Sequence, residues 1–512
     1  MKKISQSQWV RYKKTDGKEV IELFEKVQKK QCSPEEFYDI ASRFNPFYFS
    51  QLGESSKREI IGIFQYTDTT IKEILPSDDE LKSFDDYADF YVFVLDYLAA
   101  VNTEAIETYK DIPQGQYKGM LANILFESFL LYEYLPDYFL PYFFTGQFIY
   151  LKKIAKMYEI DLPSMPKRSC YYDRCFYYME LCKVFHDFAE TNNLSSAEMC
   201  AFLYDYAMTI VKEETEQEQR TTELPTPSQA WFLVGSYGDM ERNMNYGFWQ
   251  ANAETRRGDI LVFFEKNPVK SLNAIWRAQE DGIVDPFFYY YSNTYIGNKM
   301  DIFPISLDEL RADAYFKEHG LIRKNFQGGS GWPLTSEDYN QLKRMLAAKG
   351  FNIAQLPKLK AHEAPANIDY STKEAAVHKY QVLPLLADMG WTVENGEIMN
   401  QVTLHVGHGE AGKKGRTDIS LHPQKEDSKK ARVVIEEKYW MKNEAEIADT
   451  LAQGVSYADL QHANVLVLCD KAQIIVYQRD KNSDFKPNKK QVFYWDEMSN
   501  PDKFNELRKL IS

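Results

Sequence analysis

Three side chains late in the chain have the types and spacing to hydrolyse a phosphodiester bond. Asp418 stands in KKGRTDISLHP, and Glu436 and Lys438 stand in RVVIEEKYW. If both segments are strands joined by the polar turn QKEDSKKA, their side chains alternate between the two faces of the sheet. Val434, Glu436 and Lys438 then share one face, and Val433, Ile435 and Glu437 the other. Asp418, at the head of the first strand, comes to lie beside Glu436. Two carboxylates and a lysine so arranged suit Mg²⁺, or Mn²⁺ in its place, because such cations take oxygen ligands. The metal acidifies a bound water and neutralises phosphate charge. Lys438 can orient the attacking water or stabilise the transition state. Glu437, facing away, is expected to be nearly silent to substitution. On a solvated surface hairpin the same residues would do nothing, so the elements around them decide.

Those elements can be read from the same stretch. STKEAAVHKYQVLPLLADMGW is a helix entering at Ser371, which Pro384 should end or kink. EIADTLAQGVSYADLQH is a second helix, and NVLVLCD and AQIIVYQR form a closing hairpin. Gln453 and Tyr457 are four apart, hence on one face of the second helix. Glu374 opens the first helix, where Ser371-x-x-Glu374 also has capping-box spacing.

From Ser371 to Gln478 the order of these pieces resembles the PD-(D/E)xK nuclease fold, above all the N-terminal nuclease domain of type I restriction subunits. Glu374, the LADMGW turn, GRTD, IEEK and the final hairpin follow in sequence. The resemblance implies an α/β restriction-endonuclease-like domain cutting DNA. Asp418, Glu436 and Glu374 would be its metal ligands, Lys438 a catalytic residue, and Gln453 and Tyr457 further members of the site. Thr417 stands where the family name has proline. The nearby GHGEAGK (407–413) fits GxxxxGK, but Lys414 replaces the required Ser or Thr and a strand follows, so it is not a nucleotide-binding loop. His405 and His408 read as loop histidines. No ATPase motor fits in the chain.

Upstream, YGFWQANAETRRGDILVFFEK, LNAIWRAQ and FQGGSGWPLT follow in an order that resembles the PUA-like superfamily, in its EVE, ASCH and YTH branches. The matching features are Trp249 after a glycine turn, Gly258-Asp259 before an apolar strand, Trp276, and a late SGW. The resemblance implies an α+β PUA-like β-barrel that reads a modified base in DNA or RNA. Trp231, Trp249 and Trp276 would wall the pocket, each stack contributing about 1–3 kcal/mol. Arg256 and Arg257 would contact phosphate, while Trp332 reads as packing.

The chain has 512 residues, enough for several domains. The expected division is multidomain: an all-α region over 1–211, a polar linker over 212–228, the PUA-like domain over 229–350, a proline-bearing linker over 351–368, and the nuclease domain over 369–512. Within the helical part, Ser195 and Glu198 have capping-box spacing. Cys170, Cys175, Cys182 and His186 lack the close pairs of a zinc site and read as core. The formal net charge is -14. Residues 351–512 hold 22 basic and 23 acidic side chains, so nearly all the acidity lies earlier, where phosphate would be repelled. The run from Glu127 to Tyr150 is either buried helical core or an oligomer contact. Mean hydropathy is -0.49, and charges and prolines interrupt the most apolar stretch, which excludes a spanning helix. The opening MKKISQSQWVRYKK has no apolar region behind its charges, and six cysteines are too few for a disulfide scaffold. A cytoplasmic, Mg²⁺-dependent endonuclease of restriction type is expected, directed to DNA by a modified base, with no membrane partner and self-association through the helical part. An RNA-directed nuclease and a catalytically silent sensor scaffold are the alternatives.

Overall fold

The computed structural model describes residues 2–512 apart from positions 30–31, 50–53, 75–88, 93, 96–113, 222, 237, 239–246, 289, 407–412, 425–426, 428, 481 and 483. His408 and most of GHGEAGK therefore lie outside the described residues. The chain divides into two compact units: residues 1–224, 246–254 and 279–296, and residues 225–245, 255–278 and 297–512. Among the described residues no helix is long and apolar enough to cross a membrane.

The first unit is built on helices. Gly17–Gln28, Pro34–Phe44, Gln114–Tyr134, Tyr171–Asn192 and their neighbours bury an aromatic interior in which Phe37 stacks on Phe64 with centroids 4.4 Å apart. Phe129, Tyr132, Phe139, Phe143 and Phe148 all lie inside it, so the 127–150 run is core. Cys175 and Cys182 are buried there as well. The Ser195 box forms: its Oγ accepts Glu198 N–H at 3.2 Å and its own N–H donates to Glu198 Oε2 at 3.0 Å. The final helix runs over Ala207–Thr221 and so takes up the first part of the segment expected as a linker. Residues 279–296 are fastened to this unit by Arg174, whose guanidinium donates to the carbonyls of Pro286 (2.7 Å) and Phe288 (2.9 Å).

The strands from Ala230 onward form a mixed seven-stranded sheet. They are β1 (Ala230–Gly235), β2 (Gly247–Gln250), β3 (Ile260–Glu265), β4 (Ser271–Ala278), β5 (Ile283–Val284), β6 (Ser292–Ser306) and β7 (Trp332–Leu334). The order is β2-β6-β4-β3-β1-β7, with β5 also on β6. β1 and β3 are parallel, and β4 and β7 run antiparallel to their neighbours β3 and β1. Alternation sends Phe232, Val262 and Ile275 to one face, which packs on the helices Leu307–Ala312 and Ser336–Ala348.

The C-terminal strands are β8 (Ile398–Asn400), β9 (Thr403–Val406), β10 (Lys413–Arg416), β11 (Ile419–Pro423), β12 (Ala431–Glu437), β13 (Val465–Cys469), β14 (Gln473–Arg479) and β15 (Phe485–Tyr494). Six of them form one sheet, ordered β15-β14-β13-β12-β11-β8, and β9 pairs with β10 apart from it. Only β12 and β13 run parallel in that sheet, and the helix Glu444–Leu460 connects them, as a crossover requires. That helix covers Val434, Leu466 and Ile475 on one face. Val433, Ile435 and Val467 face the other core, with the helices Leu383–Asp388 and Pro501–Ile511. Pro384 does not end its helix. Glu374–Val377 leads into a π-helical turn, His378–Val382, and the helix resumes at Leu383. In a regular helix a proline ring at 384 strikes the carbonyl of residue 380, and residue 380 lies inside that wider turn. Residues 351–368 are irregular but bonded: Lys360 N–H donates to Pro227 O at 2.7 Å and His362 N–H to Met498 O at 2.9 Å.

Candidate active site

The strand expected over KKGRTDISLHP is broken in two, and Asp418 occupies the break between β10 and β11. Ile419 pairs with Ile435, so Asp418 and Glu436 are one register step further along. Asp418 Oδ2 accepts the N–H of Glu437 at 2.7 Å, a bond that pins it to the end of β12. Glu436 is 1% exposed. Its Oε1 accepts from Lys438 Nζ at 2.9 Å and from Gln453 Nε2 at 2.6 Å, while Oε2 is buried with no hydrogen-bond partner. Burial, then the charge of Asp418, push the Glu436 carboxyl up to about 7. Lys438 follows the end of β12, and its N–H donates to Cys469 O on β13 at 2.8 Å. Burial pulls its ammonium down, but the bond to Glu436 and the nearby Glu374 and Asp418 charges outweigh that and hold it raised.

Glu374 belongs to the same electrostatic group. Partial desolvation raises its carboxyl, Lys438 lowers it and Asp418 raises it. The alternative capping box is not formed: Ser371 Oγ bonds Asp369 at 2.9 Å, and no side chain caps the helix that Glu374 begins. Tyr457 OH is 3.5 Å from Gln453 Nε2, and the Tyr457 ring packs over Gly415, where an added Cβ would come within 2.6 Å of Cε1. Asp418 and Lys438 thus meet Glu436 at the end of β12, Glu374 acts on them through its charge, Gln453 joins Glu436 by a direct bond, and Tyr457 sits one turn away.

Glu437, on the other face of β12, has a partner of its own. It is 2% exposed and accepts from His378 Nδ1 at 2.9 and 3.1 Å. Facing away from the site puts it inside the protein, not in solvent, and its carboxylate holds the His378 imidazole above its ordinary range. Among the described residues, no three His, Cys, Asp or Glu side chains are grouped to hold a metal ion. That includes the cysteines of the helical unit.

Beside Lys438 opens a cleft of about 640 Å³, lined among others by Lys373, Tyr439, Trp440, Lys442 and Lys471. None of these five residues was among the expected site residues. The interleaving of basic and aromatic residues in KYWMK was the available signal.

The expected base-pocket residues separate. Trp231 and Trp276 are each 1% exposed and sit in register on either side of Leu261, on the face of the sheet opposite Phe232. Trp231 Nε1 donates to Asp259 Oδ2 at 2.9 Å; the same carboxylate accepts Ser228 Oγ and the N–H groups of Ser228, Gln229 and Arg256. Rings so enclosed offer no face to an incoming base, so these two are core residues and not pocket walls. Trp249, on β2, is half-buried. Arg256 is exposed and Arg257 half-buried in the turn before β3.

No family model matches the chain, and no curated protein matches it. Among solved structures, it is similar to Rpa0253 from Rhodopseudomonas palustris, determined by NMR, at 16% identity and a TM-score of 0.21. That likeness covers 23% of this chain and 94% of the other, and at such a score it carries no argument.

Proposed function

We propose that the chain is a metal-dependent endonuclease of restriction type acting on DNA. In this reading residues 369–512 are a PD-(D/E)xK domain and 229–350 a PUA-like reader of a modified base. The observation that carries it is the Glu436 carboxylate: buried, beside Asp418, with Lys438 and Gln453 on one oxygen and no protein donor on the other. A buried acceptor left without a partner is costly, and a cation relieves that cost. Mg²⁺ fits this site because one or two carboxylates hold it, the rest of its shell being water and phosphate oxygens. Asp418 and Glu436 would hold it; Glu374 lends its charge to the site but is not grouped with them as a third ligand. Bound there, it would supply charge neutralisation and a more acidic water.

The chain's own residues account for the rest. Lys438 offers an ammonium, anchored by Glu436, to the phosphate oxygens that gain charge as the water oxygen bonds to phosphorus. The bond to the leaving oxygen breaks, and the water's proton is balanced by protonation of that oxygen. Gln453 fixes the rotamer of Glu436. The mixed sheet supports the reader, and with Trp231 and Trp276 in the core the base contact falls to Trp249. Arg256 and Arg257 stand as separate candidates for backbone phosphate.

The test is incubation of the full chain with Mg²⁺ and matched unmodified and base-modified DNA, with RNA alongside. DNA cleavage is expected, abolished by EDTA and by Asp418→Asn, Glu436→Gln or Lys438→Ala, each still folded by circular dichroism. Intact DNA under Mg²⁺ and Mn²⁺, or normal cutting by all three variants, overturns the reading.

A further inference from the structure

We propose that Trp440 and the lysines around it bind an unpaired nucleotide next to the phosphodiester that is cut. The proposal takes its place in the reaction from the nuclease reading above, but the binding itself does not depend on that reading.

Trp440 lies two residues beyond Lys438 and is 45% exposed, although the segment that carries it is firmly held. Met441 N–H donates to Asp470 Oδ2 at 2.8 Å, and Lys471 N–H donates to Tyr439 O at 3.2 Å. Asp470 is itself fully buried, and its Oδ1 accepts the N–H groups of Ala472 and Gln473. A large indole is therefore held out of the protein on a fixed base, not left on a loose loop.

Its immediate neighbours are cations. Lys471 Nζ is 4.2 Å from the Trp440 ring centroid and Lys442 Nζ is 5.5 Å away; Lys471 also sits 4.6 Å from the Tyr439 ring. An exposed ammonium–ring contact is weaker than a base stacked on the same ring. A base can therefore displace an ammonium from the indole, and the freed lysine keeps its charge for the adjoining phosphate. Lys373, Lys438, Lys442 and Lys471 line the cleft against only Glu446 and Asp449. Lys438 is paired with Glu436, which leaves Lys373, Lys442 and Lys471 to set against Glu446 and Asp449. The cleft is thus locally basic in a chain of net charge -14, which is the complementarity a phosphate backbone needs. Its volume of about 640 Å³ admits a nucleotide.

The indole also selects the kind of nucleotide. In a duplex the face of a base is covered by its neighbours, so stacking on Trp440 requires a base that is single-stranded, terminal or turned out. The substrate class implied is DNA with an unpaired nucleotide at the cut, such as an end, a gap or a flap.

The experiment uses the full chain in EDTA, so that no cleavage occurs, with a fluorescein-labelled oligothymidylate and a duplex of equal length, read by anisotropy. The single strand should bind more tightly. Trp440→Ala should weaken it about tenfold (~1.4 kcal/mol), and Trp440→Phe should retain most of the binding. Lys442→Glu with Lys471→Glu should weaken it further and flatten its salt dependence. Equal affinity for strand and duplex, or unchanged binding in Trp440→Ala, overturns the proposal even if Mg²⁺ then supports cleavage. Trp440-dependent strand binding by a chain that cuts nothing upholds it, while the nuclease reading falls.

Discussion

Gln453 Nε2 donates to Glu436 Oε1 across 2.6 Å, reaching from the helix Glu444–Leu460 to the end of β12. Lys438 donates to that same oxygen, at 2.9 Å. Both donors crowd one side of the carboxylate and leave its other oxygen turned away from any protein partner. The amide thereby decides which oxygen of Glu436 is available.

Gln453→Ala should slow cleavage by about 10–100-fold, the usual cost of losing a group that orients a metal ligand. It should also raise the Mg²⁺ concentration needed for half-maximal rate, with the circular dichroism spectrum unchanged. Rates measured across a Mg²⁺ series decide it: a profile that overlays the parent removes Gln453 from the site.

Glu437→Ala should destabilise the protein by about 1–3 kcal/mol, because it strips the hydrogen-bond partner from the half-buried His378. Urea unfolding of Glu437→Ala, His378→Ala and the double variant forms a cycle. The double variant should lose less than the two single losses added together. Strict additivity would show that the contact carries no coupling.

Glu127 gives the helical unit a pH dependence. It is buried in Gln114–Tyr134, its Oε2 has no partner, and burial raises its carboxyl from 4.5 to about 8. A raised acid stays protonated in the fold while the unfolded chain ionises. Its contribution is therefore complete below 4.5 and is lost as the pH climbs through 8. The loss is on the order of a few kcal/mol. Urea midpoints should fall between about pH 5 and 9, and Glu127→Gln should flatten that fall. An unchanged slope in the variant would assign the pH dependence to other groups.

Much of this arrangement was legible in the sequence because it depends on local periodicity. The alternation in RVVIEEK separated Glu436 from Glu437, and the spacing in the following helix put Gln453 and Tyr457 on one side. What alternation does not reveal is what lies beyond each face. The side away from the site holds a second core, so Glu437 is buried against His378 and not exposed. Pro384 signalled a helix end, but a π turn one step earlier absorbs it. Trp231 and Trp276 carried the signature of a pocket, yet an aromatic residue on a strand reads the same whether it faces a ligand or the inside of its own sheet.

Gly415 has a consequence for how the site could be tuned. It lies two residues before Thr417, and the Tyr457 ring rests directly on its bare Cα, with no room for a methyl group. Tyr457 and Gln453 are one helical turn apart, so a side chain at 415 would press on the ring that neighbours Gln453. Alanine, serine and valine at this position form a graded series of shims. Each would crowd the Tyr457 ring a little more, without adding or removing a charge. In the nuclease reading, a bulky residue at 415 would displace the Tyr457 ring from beside Gln453 while every proposed reacting group stayed in the chain.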